Sequence, residues 1–366
     1  MNTDTSLALF VKACRSAHDL AMLLMSLLLL SAPAFSHVPL MAGDNDNISQ
    51  AMHISHADKS WAVYGLLPEQ TAHYYSLDRK EGERIYLSLF KTADPGEKRS
   101  NPSLLLMGPG LEEDINPDHQ PSLPPGALQL KLLRAENKTA AAATYEPFGP
   151  SSYIELAEID ITAPEAGTYY AGVYGSPSES IGNSSSHTSK SGVHYGLAVG
   201  YKEEFSFTDR FLSPLRLMSV YLWEGQSLGM IMIPYLLAGI IALLFFWRGS
   251  RRTSFCLAGL LAGFLFLATS ASVFNQMVFS LTRAPLGPEV YITLAIGIFH
   301  ALLGVAAIRL ARGEAGILQR ALLAVLGTLA LLAGSGLIIG PMLSMAASFL
   351  PSTSGNIFAR GKDGDV

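Results

Sequence analysis

The chain has 366 residues, of which 49% are hydrophobic and only 15% are charged, and its formal net charge at pH 7 is −5. This composition is typical of a membrane protein, and the absence of a basic excess argues against a nucleic-acid-binding role. The two cysteines are Cys14 and Cys256, so the long region between them cannot form an internal disulfide and must rely on its core.

The N-terminus has the pattern of a secretory signal. Two basic residues precede an apolar run over residues 20–30, and small residues follow it up to Ser36. The apolar run is too short to cross a bilayer comfortably as a helix. We therefore predict a signal peptide over residues 1–36 with cleavage before His37. Cleavage after Ala34 and an uncleaved anchor are the alternatives.

Residues 37–59 are predicted to be a flexible segment. They contain the most specific candidate for a chemical site in the sequence, a possible copper site. If the mature chain begins with His37, its free amine and imidazole can chelate one copper ion. His53 and His56 follow closely enough to supply a third ligand. These three histidines are the predicted metal site, and the alternative is that all three are simply solvated.

Residues 60–204 are predicted to form an all-β sandwich. Apolar and polar residues alternate with a period of two in residues 85–90, 169–174 and 194–201, as in strands that bury one face. Turn signals such as those at residues 94–96 separate the segments, and no long helical periodicity intervenes. The stretch is long enough to build its own core.

This region also resembles a known domain family. The segments that carry the resemblance are Val63-Tyr64-Gly65, His73-Tyr74-Tyr75-Ser76-Leu77, Glu81-Gly82-Glu83-Arg84-Ile85-Tyr86-Leu87-Ser88-Leu89, Pro102-Ser103-Leu104-Leu105-Leu106, Ala163-Pro164-Glu165-Ala166-Gly167-Thr168-Tyr169-Tyr170-Ala171-Gly172-Val173 and His194-Tyr195-Gly196-Leu197-Ala198-Val199. In this order they resemble the bacterial pre-peptidase C-terminal domain over about residues 60–201, with a long insertion at 112–149. The resemblance implies a small jelly-roll-like sandwich with a binding or accessory role, joined here to a four-span membrane region.

Three N-x-S/T sequons lie in the predicted sandwich or just before it, at Asn47, Asn137 and Asn183. They are candidate glycosylation sites if the host is eukaryotic. The alternative is chance, because a region rich in Ser, Thr and Asn generates sequons readily.

Residues 205–227 are predicted to be an interfacial helix or linker between the sandwich and the membrane. The segment mixes arginines with apolar and aromatic residues directly before the first apolar span. Tyr221 and Trp223 are expected at the level of the lipid headgroups, which would hold the sandwich close to the membrane surface.

Four apolar stretches within residues 228–349 predict a bundle of four transmembrane helices. Each is near the roughly 20 residues that cross a hydrocarbon core of about 30 Å. The predicted spans are 228–247, 254–274, 290–308 and 321–345.

The distribution of arginine predicts the orientation of these spans. Arginines cluster between the first two spans and between the last two, so both turns are expected in the cytoplasm. This places the N-terminal domain and the polar tail at 350–366 on the extracellular or periplasmic side of the cell membrane.

His300 is the ionisable residue near the middle of a predicted span, and such a residue is a functional hypothesis by default. It could serve as a proton relay or metal ligand in a small transporter, or it could be a neutral imidazole bonded to a neighbouring helix. The pairs Gly259/Gly263 and Gly336/Gly340 have the spacing that lets helices approach closely, as in a packed bundle or an oligomer.

The sequence therefore predicts an all-β, jelly-roll-like ectodomain on a four-helix membrane base. No motif for a catalytic nucleophile or a phosphate-binding loop is present. The expected role is non-enzymatic binding, sensing or assembly, with the lipid bilayer and a second copy or another membrane protein as partners. Copper handling through His37 and transport around His300 are the alternatives.

Overall fold

A computed structural model of the chain describes residues 37–68, 71–94, 101–111, 131–137, 142–175, 192–250 and 252–352. The predicted signal peptide, the sequon at Asn183 and most of the predicted tail lie outside these ranges, and so does the side chain of Asn137. The chain divides into two compact units. One comprises Phe35–Leu236 and Ala271–Gly297, and the other includes Leu237–Ser270 and the residues from Ile298 onward.

The first unit contains a β domain. Its described strands are β1 (Val38–Met41), β2 (Met52–His53), β3 (Trp61–Pro68), β4 (Ala72–Arg79), β5 (Arg84–Thr92), β6 (Ser103–Gly108), β7 (Lys131–Arg134), β8 (Glu136–Asn137), β9 (Thr144–Glu146), β10 (Ser151–Thr162), β11 (Gly167–Tyr174) and β12 (Gly192–Val199).

The strands form two sheets. The larger has seven strands in the order β1-β3-β12-β5-β10-β8, with β9 also pairing with β10, and the smaller has the order β2-β4-β11-β6-β7. β1 pairs with β3 and β2 with β4 in parallel, and the other pairs are antiparallel. The predicted β domain is thus confirmed as a two-sheet structure.

Both sheets contribute one face to a shared core, and β5 shows how the sequence produces it. Successive side chains of a strand point to opposite faces, so Ile85, Leu87 and Leu89 enter the core while Tyr86 and Ser88 turn away from it. The same alternation places Tyr195, Leu197 and Val199 of β12 in the core. The opposite face of the larger sheet remains available for another element.

The segment at residues 37–59 differs from the flexible linker that the sequence predicts. It supplies an edge strand to each sheet, β1 and β2, with a 3-10 helix at Ile48–Gln50 between them. Val38 and Ile54 are buried in the domain. The strands are short, and their apolar residues are too few to show the period of two, so their pairing depends on the neighbouring sheet edges.

Six described α-helices follow the β domain. They are α1 (Phe207–Trp223), α2 (Leu228–Arg248), α3 (Ser254–Leu281), α4 (Val290–Arg312), α5 (Ile317–Leu332) and α6 (Ile339–Ala347). Of these, α2, α3 and α4 are long and apolar enough to cross a membrane. They indicate a multi-pass membrane protein.

The helix α1 packs on the β domain. Ser206 and Asp209 form a capping box at its start, and Asp209 also accepts hydrogen bonds from Lys59 at 2.5 Å and Arg216 at 3.1 Å. Burial alone would raise the pKa of Asp209, but the bonds from Lys59, Ser206 and Arg216 lower it to about 2. The carboxylate thus stays charged and ties the helix to the loop before β3.

The aromatic end of α1 is placed differently from the sequence prediction. Tyr221 and Trp223, expected among lipid headgroups, are both buried, and the Trp223 Nε1–H donates to the Gly65 carbonyl at 2.9 Å. An indole packed on a sheet removes a large apolar surface from water and still satisfies its polar N–H. The helix therefore forms part of the β-domain unit.

The fourth predicted span, 321–345, is not one continuous helix. It is divided into α5 and α6 by a break in which Gly334, Gly336 and Leu337 have positive φ values. The 16 residues of α5 reach only about 24 Å, which is short of a hydrocarbon core of about 30 Å. Glycine tolerates the left-handed backbone, which explains the position of the break.

Within the second unit, small residues allow close contact between helices. A Cβ atom added to Gly259 would lie 2.6 Å from the Cβ of Ala311, and one added to Gly263 would lie 2.6 Å from Cγ1 of Ile308. Both glycines of α3 therefore face α4. A Cβ at Gly340 would lie 3.0 Å from Cε1 of Phe266, which is also on α3.

Candidate functional site

The three histidines predicted to bind copper do not all line the same cavity. His37 lies just before β1, where its Nδ1 hydrogen-bonds with the Ser60 hydroxyl and burial lowers its pKa to about 4. His53 and His56 line a separate cavity beside the smaller sheet. Within the described ranges, no group of three or more His, Cys, Asp or Glu side chains could hold a metal ion. Copper binding through a free amine at His37 stays a prediction.

A candidate site is a cavity of about 210 Å³ between the outer face of the larger sheet and α1. Strands β3, β5, β10 and β12 contribute from one side, and Leu217 and Val220 of the helix contribute from the other. Its described lining residues are His37, Pro39, Tyr64, Tyr86, Ser88, Phe90, Glu146, Gly149, Ser151, Ser152, Tyr153, Glu155, Ala198, Leu217, Val220, Trp223 and Glu224. We call this space the α1 cavity.

One wall of the α1 cavity is aromatic. The ring of Tyr64 lies edge-on to Trp223 at 4.9 Å and to Phe90 at 5.8 Å between centroids, and Phe90 lies 5.1 Å from Tyr153. Such inclined contacts are the arrangement that aromatic quadrupoles favour. The wall is therefore held in shape by contacts among its own rings.

Three glutamates also line the cavity. Glu155 accepts a hydrogen bond from the Ser88 hydroxyl at 3.0 Å, and Glu146 accepts one from the Phe148 N–H at 3.1 Å. Glu224 is the third carboxyl group of the cavity. No lysine or arginine is among the lining residues that the structure describes.

Glu224 is the most perturbed of these carboxyl groups. It follows the last residue of α1, is only 2% exposed, and accepts hydrogen bonds from the Ser152 N–H at 3.2 Å and Gln226 Nε2 at 3.4 Å. Burial raises its pKa to about 7, and the hydrogen bonds and Arg283 offset only part of that effect. The group can thus gain or lose a proton near neutral pH.

A polar chain leads from Glu224 to α3. Gln226 and Gln276 are both buried and exchange two amide hydrogen bonds, of 2.6 and 2.8 Å. Arg283, which follows α3, donates to the backbone carbonyl of Glu224 at 3.3 Å. All four residues lie in the first unit. Hydrogen bonds therefore link Glu224, which lines the α1 cavity, to the C-terminal part of α3 and to Arg283 just after it.

A second set of contacts joins the β domain to the start of α4 in the same unit. The Tyr145 hydroxyl hydrogen-bonds with the Thr293 hydroxyl, which itself donates to the Pro147 carbonyl, both at 2.7 Å. Tyr145 also packs with Ala284 and Val290. The β domain therefore holds the segment between α3 and α4 through both polar and apolar contacts.

The remaining predicted residues lie elsewhere. Asn47 is exposed, and its side chain accepts hydrogen bonds from Ser49 at the start of the 3-10 helix. His300 is 4% exposed within α4, and its Nδ1 has no hydrogen-bond partner among the described residues. Neither placement tests glycosylation or transport, and both stay predictions.

Glu224, Gln226 and Gln276 are not among the site residues that the sequence predicts. One available signal was the run Trp223-Glu224-Gly225-Gln226, because it places a charged residue beside a glycine between two helical segments. Gly225 has a φ of 88° and ends α1. The partners of this run come from distant parts of the chain, which a local pattern does not reveal.

Comparisons with known proteins identify no family. No protein-family model matches the chain, and no curated protein matches it.

Proposed function

We propose that this chain is a non-enzymatic binding and sensing protein of the cell membrane. In this proposal the β domain is a jelly-roll-like sandwich similar to the pre-peptidase C-terminal domain, and it faces the extracellular or periplasmic side. Its α1 cavity binds a small ligand. Helices α2, α3 and α4, together with the broken segment α5–α6, anchor it in the bilayer.

The observation that carries the proposal is the position of Glu224. This carboxyl group lines the α1 cavity and also contacts Gln226, whose amide is paired with Gln276 of α3. A ligand that displaces or neutralises Glu224 therefore acts on a group that a single residue, Gln226, separates from a membrane-length helix. Concave sites that combine an apolar wall with a few placed polar groups are typical ligand-binding sites.

A pair of tryptophan substitutions on α1 tests this proposal. Leu217 lines the cavity, whereas Leu215 is 44% exposed and is not among its lining residues. Leu217→Trp should fill the space, and Leu215→Trp is the matched control on the same helix. The measurement is the melting temperature of the full chain in detergent, with a panel of small amines, carboxylates, sugars and amino acids.

At least one class of compound should raise the melting temperature of the wild type and the Leu215→Trp variant but not that of Leu217→Trp. A panel in which no compound distinguishes Leu217→Trp from its control would overturn the proposed binding role of the cavity. The two variants should show similar melting temperatures without ligand, which checks that both are folded.

A further inference from the structure

A second cavity of the β domain has a buried arginine in its lining. Its described lining comes from three segments: residues 53–58 at and after the end of β2, residues 78–80 with Glu83 at the turn between β4 and β5, and residues 201–202 after β12. The volume is about 540 Å³. We call this space the Arg79 cavity. It shares no described lining residue with the α1 cavity.

Arg79 is buried without the hydrogen bonds that a buried guanidinium normally makes. It is only 7% exposed, and its Nε–H has no hydrogen-bond partner in the part of the chain that the structure describes. Its ion pair with Glu83 joins Nη1 and Oε2 at 3.9 Å, which is beyond hydrogen-bonding distance. Arginine is rarely buried unless it is paired, because a buried donor without an acceptor is costly.

Arg84 provides the comparison within the same domain. Its side chain is 44% exposed, and its Nε and Nη2 donate to the two carboxylate oxygens of Asp160, each at 2.7 Å. Two parallel bonds to one carboxylate are the pairing that a planar guanidinium favours. The more exposed arginine therefore has the pairing that the more buried Arg79 lacks. A carboxylate that enters the Arg79 cavity can supply the same arrangement.

Three acidic residues also line the Arg79 cavity, but each accepts a hydrogen bond from a group other than Arg79. The bonds run from Lys202 Nζ to Asp58 at 2.7 Å, from the Thr168 hydroxyl to Asp78 at 2.7 Å, and from the Lys80 N–H to Glu83 at 3.0 Å. The bond from Lys202 lowers the pKa of Asp58, and the charge of Arg79 adds to this effect.

The charges of the lining favour an anion with a single charge. Arg79 and two lysines, Lys80 and Lys202, face the same cavity as the three acidic residues, so their formal charges balance. A phosphate group carries more negative charge than a carboxylate at neutral pH. It would therefore be repelled more strongly by the three acidic side chains.

We infer that the Arg79 cavity binds the carboxylate group of a small organic acid or amino acid. Arg79 donates two hydrogen bonds to the carboxylate, and the exposed side chain of Lys80 adds a second positive charge from the lining. This site is separate from the α1 cavity. The inference therefore goes beyond the proposed function and does not depend on it.

The test compares a carboxylate with the neutral amide of the same shape. The full chain in phosphatidylcholine nanodiscs and Tris buffer is titrated separately with propionate, L-alanine, propionamide and inorganic phosphate. The concentration dependence of the melting temperature gives each apparent affinity. Propionate or L-alanine should bind at least about tenfold more tightly than propionamide and phosphate. The tighter binder of the two distinguishes an organic acid from an amino acid.

Matched arginine variants locate the binding. Arg79→Lys keeps the positive charge but loses the planar pair of donors, so it should weaken carboxylate binding about tenfold. Arg84→Lys, which changes an exposed arginine outside the lining, should leave the affinity unchanged. Leu217→Trp should also leave it unchanged, because Leu217 lines the other cavity.

Glu83→Gln should change the affinity in the opposite direction. It removes the negative charge 3.9 Å from Arg79, while the amide oxygen can still accept the Lys80 N–H. Loss of this competing charge should tighten carboxylate binding about threefold. Glu81→Gln, in the same turn but outside the lining, is the control. The pair decides the question even if Arg79→Lys fails to fold.

Several results would refute the inference while leaving the proposed function standing. Equal binding of propionate and propionamide would show that the charge is not recognised. Tighter binding of phosphate than of either carboxylate would assign a different class of anion. Carboxylate binding that neither Arg79→Lys nor Glu83→Gln alters would place the ligand elsewhere, and the absence of any binding would remove the site. The Leu217 pair tests the α1 cavity separately.

Discussion

The environment of Glu224 favours the protonated form of its carboxyl group more than water does. Its carboxyl group is buried between Ser152 and Gln226, and Arg283 donates to its backbone carbonyl and not to the carboxylate. Burial raises the pKa of Glu224 to about 7, and the hydrogen bonds and the charge of Arg283 offset only part of that effect.

The same residue predicts how stability depends on pH. Its pKa is raised from 4.5 in the unfolded chain to about 7 in the folded protein, so the folded state holds a proton that the unfolded state has released between those values. The stabilisation linked to Glu224 is therefore fully present below about pH 4.5 and is lost as the pH rises through about 7. The shift corresponds to about 3 kcal/mol.

Glu224→Gln should remove this dependence, because the amide cannot ionise. We expect the variant to match the wild type near pH 5 and to have the higher melting temperature near pH 8, as measured by tryptophan fluorescence in detergent. Glu158→Gln serves as a carboxyl-to-amide control on the exterior of the larger sheet. Parallel pH profiles for the wild type and Glu224→Gln would contradict the assignment.

Among the elements, the break between α5 and α6 is the one that changes the predicted membrane topology. Gly336 has a φ of 72°, and its N–H donates to the Thr269 hydroxyl at 2.7 Å. A Cβ atom there would lie 2.6 Å from Cδ1 of Phe266. Backbone strain and steric overlap therefore act at the same position.

Gly336→Ala should destabilise the protein by about 1 to 3 kcal/mol, since alanine is strained in this region of backbone conformation and also meets Phe266. Gly239→Ala in α2 is the matched control, because a Cβ at Gly239 meets no atom within 4 Å and alanine favours a helix. Thermal unfolding of both variants in the same detergent measures the difference. Equal stability of the two would show that the break tolerates a side chain.

Elements with strong periodicity could be predicted from sequence, and those defined by distant partners could not. The alternation in residues 85–90 correctly indicated β5, and the length and apolarity of the first three spans indicated α2, α3 and α4. The fourth span was predicted to be one helix because its apolar composition is continuous. Composition does not reveal that Gly336 adopts a left-handed backbone conformation. The edge strands β1 and β2 were missed because four and two residues are too short for a pattern.

The α1 cavity illustrates the same limit at the level of a site. The sequence indicated that α1 would be a helix rich in aromatic residues, but it suggested the membrane surface as the partner of Trp223. The sheet face that receives Trp223 is built from Tyr64, Phe90 and Ala198, which lie on three different strands. Only the strand order brings them together.

For the whole molecule, the side of the membrane that the β domain faces is a prediction from the arginine-rich turns, and it can be measured directly. The β domain contains no cysteine, and Cys256 is buried, so single introduced cysteines are well suited to labelling. Glu81 lies in an exposed turn of the β domain, and Glu314 is exposed in the turn between α4 and α5.

A membrane-impermeant maleimide should label Glu81→Cys in intact cells if that face is outside, and in a Gram-negative host once the outer membrane is permeabilised. Glu314→Cys should react only after the cytoplasmic membrane is opened. The wild-type chain provides the background. Labelling of Glu314→Cys before Glu81→Cys would reverse the predicted orientation.

The amide pair of Gln226 and Gln276 gives the connection between cavity and helix a particular character. Each side chain both donates and accepts, so the pair is satisfied without any proton or ion being taken up. Its strength should not vary with acidity or with added salt, in contrast to a charged link. Glu224 titrates, whereas the neighbouring amide pair carries no charge at any pH. A change in the protonation of Glu224 should therefore leave the hydrogen bonds between Gln226 and Gln276 intact.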